Sequence, residues 1–450
     1  MGLPVSYGWP VTVLSPPRSR LSAHRSDLIA AAAGVFLFAF ALGVGWAFDL
    51  RLAGSPDFPD APATFGEWPI LGEWKPHIGP GTPVAVVLAI AAVTWGPALA
   101  ARLRWRAALG SAYAFSVAWT FALATVDGWD QGVAGRLTTR DEYLSAVPGI
   151  TDIPAMLRSF TDRILDFQPD SWITHVAGHP PGPTLVFVWL DRVGLGGTWS
   201  AIGCVLVGAL VAVAVPVTLR VLGDPAMARA ALPFVALFPG AVWLGVSADG
   251  LFAGVTATGV ALLAIGARRP AAAVAGGVLL GFGVFLSYGL VLMSSIALAV
   301  ALATRSWRTL GLGVAGALSV TAAFALSGFW WLDGYGLVVE RYYQGIANDR
   351  PYAYWVWANL ACLVVVVGPA AVAGLRRFRE LSQVVRAAGL AVVTATVSGL
   401  SKSEVERIWL PFAVWLVAAA ALLPARSHRW WLAGQAATAL LVNHVLLTNW

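Results

Sequence analysis

Long apolar runs alternate with short polar breaks along almost the whole chain. The runs fall at 28–48, 83–101, 108–126, 198–220, 229–247, 250–267, 271–287, 289–304, 309–328, 353–374, 385–400, 408–424 and 430–448. Crossing a bilayer core of about 30 Å takes about 20 apolar residues in a helix, which satisfies its backbone groups internally. The alternating ten-residue stretches of a closed barrel are not seen. The pattern therefore predicts an all-α, polytopic transmembrane helical bundle of about thirteen helices, with two short helices meeting near Ser287-Tyr288-Gly289. One connection, 127–197, breaks the rhythm. It is long and polar, and loops of that length are commonly functional.

Composition agrees with lipid as the solvent: 58% of the 450 residues are hydrophobic and only 12% charged. The net charge of +6 does not point to nucleic acid, because the cations are spread in small clusters between the runs. Arg18, Arg20 and Arg25, then Arg102, Arg104 and Arg106, Arg220, Arg268 and Arg269, Arg305 and Arg308, Arg376, Arg377 and Arg379, and Arg426 and Arg429 all fall on alternate turns. By the positive-inside rule that side is cytoplasmic and the N-terminus is inside. The run 28–48 is longer than a signal-peptide core and lacks a clean cleavage site, so it is read as a span. Acidic residues collect on the opposite side: Asp49, Asp57, Asp60, Glu67 and Glu73 in the first outer loop, and nine more between Asp127 and Asp191. Asp27, Asp224 and Glu380 are the inner exceptions. Preference for Arg over Lys, with Lys75 and Lys402 the sole lysines, and abundant Ala suggest a bacterial, GC-rich source. The expected location is the plasma membrane, with any chemistry outside the cytoplasm. Cys204 and Cys362 lie within apolar runs and are read as packing residues.

Within the long loop, Ile153, Met156, Leu157, Phe160, Ile164 and Phe167 recur at helical spacing, predicting an interfacial amphipathic helix. Two segments are more specific. One is Thr139-Arg140-Asp141-Glu142-Tyr143. The other is Trp172-Ile173-Thr174-His175-Val176-Ala177-Gly178-His179-Pro180-Pro181, which opens an apolar run too short to span and is expected to dip in from the outer face. Further along stand Phe238-Pro239, then Ser247-Ala248-Asp249, and Ser401-Lys402-Ser403-Glu404-Val405-Glu406-Arg407. His175 and His179 share a helical spacing, but two histidines alone do not make a metal site, and the prolines interrupt the helix.

These segments resemble the GT-C superfamily of integral membrane glycosyltransferases, which use polyprenyl-phosphate sugars. Asp141-Glu142 looks like its outer-loop acidic motif, and His179-Pro180-Pro181 like the His-Pro-Pro turn of protein O-mannosyltransferases. A narrower likeness is to actinobacterial cell-envelope enzymes, namely the methylthioxylose transferase and membrane mannosyl- or arabinosyltransferases. The resemblance covers most of 108–424, taken as the catalytic core with its outer loop 127–197. It leaves a cytoplasmic tail at 1–26, two additional helices with the first outer loop at 27–107, and a last helix at 425–450. It implies a polyprenyl-phosphate sugar donor, a cell-envelope glycan or lipoglycan acceptor and an inverting transfer. No cofactor is firmly implied, although a divalent metal is compatible. An outer carboxylate would take the acceptor proton. Asp141 is the first candidate, with Asp127 its rival. Glu142, His175, His179, Asp249, Arg341, Tyr342, Lys402, Glu404 and Arg407 are candidates for holding substrate, the cations facing the leaving phosphate. Each carries a plainer alternative: a solvated loop carboxylate for Asp141 or Asp127, a helix cap for Asp249, and an anchoring Glu–Arg ion pair for Arg407. The contrasting class is a transporter or lipid-linked sugar flippase, which would place ionisable groups at mid-span.

Overall fold

The computed structural model describes residues 20–48, 50 and 69–448. The tail with Arg18, and Asp49, Asp57, Asp60 and Glu67 of the first outer loop, lie outside the described residues. The chain is an all-α polytopic bundle, as the apolar runs predict. Each expected span except 229–247 coincides with helix. Among the described residues, seven helices are long and apolar enough to cross a membrane, or eight if the pair Leu410–Leu422 and Ala425–Val445, bent by 110°, is one span. Pro270–Leu286, Tyr288–Thr304 and Gln383–Ser398 are apolar but shorter.

The apolar run at 229–247 is not one helix. Pro225–Ala236 ends ahead of Phe238-Pro239, a short turn of helix covers Ala241–Leu244, and irregular backbone at Gly245 and Val246 leads to Ser247, the cap of Ala248–Gly266. A second break lies inside Tyr352–Leu375, where Gly368 has φ +77° ahead of Pro369. Irregular backbone at membrane depth survives only where its polar groups find partners. Here the Gly240 N–H donates to the Val366 carbonyl at 2.9 Å. Gln435, from His428–Val445, donates its amide to the Val367 carbonyl at 2.9 Å and accepts the Ala370 N–H at 3.2 Å.

The first described helix, Arg20–Ala47, lies along Tyr352–Leu375. Gly34 fits against Val364 and Val372, and the Tyr354 hydroxyl donates to the Ala41 carbonyl at 3.0 Å. At one end Asp27 is fully buried between Arg376, at 2.6 Å, and Arg377, at 2.7 Å. This explains one of the three acidic residues on the cation-rich side. Pro270–Leu286 and Trp307–Leu326 approach closely enough that a Cβ on Gly277 would lie 1.9 Å from the Gly313 carbonyl oxygen, the small-residue contact typical of membrane helices.

The long outer loop is compact. The helix expected over Ile153 to Phe167 is two pieces, Ile153–Arg158 and a 3-10 turn Thr161–Arg163. Asp152 caps the first by accepting the Ala155 N–H at 3.0 Å. Met156, Leu157, Phe160 and Ile164 are buried in the main core rather than laid on lipid; only Phe167 is exposed. The His-Pro-Pro turn does open a short helix, Gly182–Arg192, seated so closely that a Cβ on Gly182 would meet the Phe285 carbonyl oxygen at 2.2 Å.

Asp27→Ala should loosen the first helix from the bundle. Breaking a buried pair that leaves cations behind costs about 3–5 kcal/mol, so the detergent-solubilised variant should unfold at a clearly lower temperature. Unfolding at the wild-type temperature would show that the triad does not hold this helix.

Candidate active site

Arg407 stands on a single turn of helix, Val405–Ile408, and is almost wholly buried. A guanidinium in that position needs acceptors, and it has two from distant segments and one from its own turn. Nη1 donates to Asp249 Oδ2 at 2.8 Å, and Nη2 to Glu404 Oε2 at 2.9 Å and to His175 Nε2 at 3.0 Å. Asp249 lies in the first turn of Ala248–Gly266, but the cap of that helix is Ser247, whose hydroxyl accepts the Gly250 N–H at 3.1 Å. The cap expected as the plain alternative for Asp249 therefore belongs to its neighbour, and Asp249 itself pairs with Arg407. The Arg407 ion pair is likewise made with Glu404, not Glu406. The Glu406 carboxyl faces away, accepting from the Leu71 N–H at 3.1 Å and the Cys362 thiol at 3.2 Å.

His175 ties the loop to this centre. Its Nδ1 donates to the Asp141 carbonyl at 2.8 Å, which leaves Nε2 as the acceptor for Arg407. Burial, reinforced by Arg407, holds its pKa down to about 3. The ring is neutral, so the 3.6 Å approach to Glu142 is not an ion pair. His179 donates Nδ1 to the His175 carbonyl at 2.8 Å. With His175 Nε2 committed to Arg407, the two rings do not converge as metal ligands. No group of three His, Cys, Asp or Glu side chains among the described residues could hold a metal ion.

A narrow pocket opens between these segments, lined by Glu142, Tyr143, His175, Val246, Ser247, Ala248, Asp249 and Arg407, with room for about one water molecule. Asp141, expected first as the base, does not line it. Its side chain is exposed and accepts from the Thr174 hydroxyl at 3.4 Å, while its backbone carbonyl holds His175. The carboxylate the loop supplies is Glu142. Burial pushes its pKa up to about 7, with Asp249 and Asp141 adding to the rise and Arg407 and Arg136 opposing it. Tyr143 stacks on Phe187 and touches the rings of His175 and His179. Its buried hydroxyl has no hydrogen-bond partner among the described residues.

The backbone beside the pocket is strained. Val246 has φ +50°, Ser403 +73° and Glu404 +61°, a region that β-branched and bulky residues rarely enter. The second strained turn is clamped. Arg350 donates to the Lys402 carbonyl at 2.6 Å and to Glu404 Oε1 at 3.1 Å, Tyr342 accepts the Lys402 N–H at 2.8 Å, and Asn359 bonds both the Ser401 carbonyl and the Ser403 N–H. Burial alone would raise the Glu404 pKa, but Arg350 and Arg407 outweigh it and hold it at about 2. The Lys402 ammonium is buried, bonded to the Ala347 carbonyl at 2.9 Å and set over the Tyr343 ring. Burial and Arg350 lower its pKa.

Two expected residues lie elsewhere. Arg341 braces the loop, bonding the Ile164 carbonyl at 3.1 Å and Asp166 at 3.2 Å. Asp127 sits in a separate groove, 2.7 Å from His77 Nε2. Arg350, Tyr143, His77 and Arg136 were not singled out by sequence. Arg350 carries the same signal that marked Lys402, a cation on the side where positive charge is disfavoured. Tyr143 lay inside the acidic segment already noted.

No family model matches the chain, and no curated protein matches it. Among solved structures it is similar to the Archaeoglobus fulgidus oligosaccharyltransferase in complex with Zn and sulfate, with a TM-score of 0.39 and 14% identity over 74% of this chain and 51% of that one. The chain thus spans about half the length of that structure.

Arg407→Ala should leave Asp249 as an uncompensated buried charge and Glu404 with Arg350 alone, a loss of about 3–5 kcal/mol seen as a lower unfolding temperature. Glu404 supplies a pH signature. Its folded-state pKa lies below the ordinary 4.5, so its stabilisation is present above that value and is lost as pH falls toward about 2. Wild-type stability should decline over that window, with a shallower slope in Arg350→Ala and Arg407→Ala. Parallel slopes in all three proteins would rule out this account of Glu404.

Proposed function

We propose that the protein is an integral membrane glycosyltransferase moving a sugar from a polyprenyl-phosphate donor to a cell-envelope glycan or lipoglycan acceptor on the extracytoplasmic face. The observation that carries this reading is the pocket in which Glu142, a carboxylate with its pKa near 7, lies beside the buried Arg407 and Asp249 at the helix ends. Glu142 is the general base in this reading, and Asp141 acts through its backbone, positioning His175. The acceptor hydroxyl gives its proton to Glu142 and its oxygen attacks the anomeric carbon. The bond from that carbon to the phosphate oxygen breaks, and the polyprenyl phosphate leaves with the bonding pair. Arg407, with Lys402 and Arg350 behind it, offsets the charge gathering on the phosphate. Tyr143 offers a phenolic donor from the pocket wall. Attack opposite the leaving group inverts the anomeric centre.

The rival transporter reading has less support. Among the described residues, the buried ionisable groups Asp249, Arg350, Lys402, Glu404, Glu406 and Arg407 belong to helix ends and turns rather than mid-span positions, and Asp27 is neutralised at the other end of the bundle.

Membranes carrying wild type, Glu142→Gln, Asp141→Asn and Arg407→Ala at matched abundance should be assayed with a panel of polyprenyl-phosphate sugars and envelope glycans. Glu142→Gln should lose about 10²–10⁴-fold in rate, while Asp141→Asn keeps most of its activity. Because the base must be ionised, kcat/KM should fall as pH drops below about 7. An active Glu142→Gln would remove Glu142 from the mechanism. Sugar or lipid movement across vesicles without transfer would favour the transporter.

A further inference from the structure

The transfer step as drawn leaves a second opening unused. This groove offers about 310 Å³ of open space, walled by the polar Lys75, His77, Asp127 and Gln131 and by the apolar Ile78, Pro80, Val126 and Leu447. The pocket at Glu142 admits about one water, so it has no space for a saccharide beyond the reacting group.

The floor of the groove is fixed. Glu73–Trp74 pairs antiparallel with Leu446–Leu447. The Lys75 N–H donates to the Val445 carbonyl at 2.9 Å, and the His77 N–H to the His444 carbonyl at 2.8 Å. A Cβ on Gly79 would come within 1.8 Å of the Val126 carbonyl oxygen, so this turn lies flat on the end of the helix that leads to Asp127. The His77 ring faces acceptors on both sides, the Lys75 carbonyl at 2.6 Å and Asp127 Oδ1 at 2.7 Å. Only one Asp127 oxygen is thereby used, leaving Oδ2 to accept from a ligand. The Gln131 and Lys75 side chains are exposed and can donate, and Gln131 can also accept. Trp74 and Trp129, adjacent in sequence to lining residues, are exposed at 63% and 49%. A fixed carboxylate, a free amide, a single ammonium and nearby indole faces suit a neutral, hydroxyl-rich ligand. A polyanion would want more than one cation, and the apolar residues supply a surface for the faces of sugar rings.

The groove and the pocket are joined by a short stretch of chain. No membrane span separates Asp127 from Glu142 in the chain, only short turns. Arg136 lies between them, within electrostatic reach of both Asp127 and Glu142 and bonded to the Thr448 carbonyl at 2.8 Å.

We infer that the groove of His77, Asp127 and Gln131 is the acceptor-saccharide subsite that presents a hydroxyl to Glu142. This deepens the glycosyltransferase reading and rests on it. It also gives Asp127 a part other than rival base.

The test uses the full chain in lipid nanodiscs without donor. Binding of fluorescently labelled mannotetraose and arabinotetraose is followed by anisotropy for wild type, Gln131→Ala, Asp127→Asn and Glu142→Gln. At least one probe should bind wild type and Glu142→Gln alike, and Gln131→Ala and Asp127→Asn should each weaken it about tenfold, as for a lost hydrogen bond. Where transfer is measured, the same two variants should raise the acceptor KM and leave the donor KM unchanged. The Gln131 side chain is exposed and bonds no side chain or backbone group among the described residues, so its variant guards the test against misfolding. Wild-type binding or acceptor KM in Gln131→Ala and Asp127→Asn would overturn the assignment, as would failure of both probes to bind wild type with no groove effect on KM. Probe binding that depends on the groove, in a protein showing no transfer, would keep the glycan site and sink the glycosyltransferase reading alone.

Discussion

The structure depends on one requirement, that a guanidinium taken out of water be surrounded by acceptors. Arg407 meets it by drawing in Asp249 from one helix start, Glu404 from its own turn and His175 from the long loop. Trp172, Val176 and Ala177 dock the loop in the core, and the turn at Ser403 and Glu404 sits in a backbone region that is unfavourable by about 1–3 kcal/mol per residue. The ion-pair network and the clamps from Arg350, Tyr342 and Asn359 offset that strain. Removing the arginine would release the turn and the pocket together.

Burial acts on every carboxylate here, yet the outcomes diverge. Glu404 has two arginines against it and stays ionised down to about 2. Glu142 and Glu406 are pushed up to about 7 because burial dominates and the nearby cations are already engaged or absent. Groups whose environments separate their pKa values are suited to different tasks. Glu404 is a permanent anion that holds cations in place, while Glu142 can exchange a proton near neutrality.

Much of this was legible in the sequence because lipid makes simple demands. Apolar runs gave the helices, and charge sidedness marked Lys402 and Arg407, each on the disfavoured side. What sequence could not supply was direction. Asp141 and Glu142 are adjacent, and only the path of the chain into Tyr143–Ala146 decides which carboxylate turns inward. Asp127 and Asp141 looked like competitors for one post, yet they occupy different surroundings. Asp249 had no cation nearby in sequence because its partner is 158 residues away. Arg350 was passed over beside Asp349, where two opposite charges cancel in any count. The run 229–247 hid its break because Phe238-Pro239-Gly240 is as apolar as its neighbours, and periodicity cannot register a missing hydrogen bond.

The amide of Gln435 stands in for a stretch of helix that Gly368 and Pro369 interrupt. It comes from His428–Val445, so the break in Tyr352–Leu375 stays without these partners until that later helix has entered the bilayer. A ribosome stalled before His428–Val445 emerges would leave an incomplete protein in the membrane, with a polar gap that quality-control proteases and chaperones can recognise.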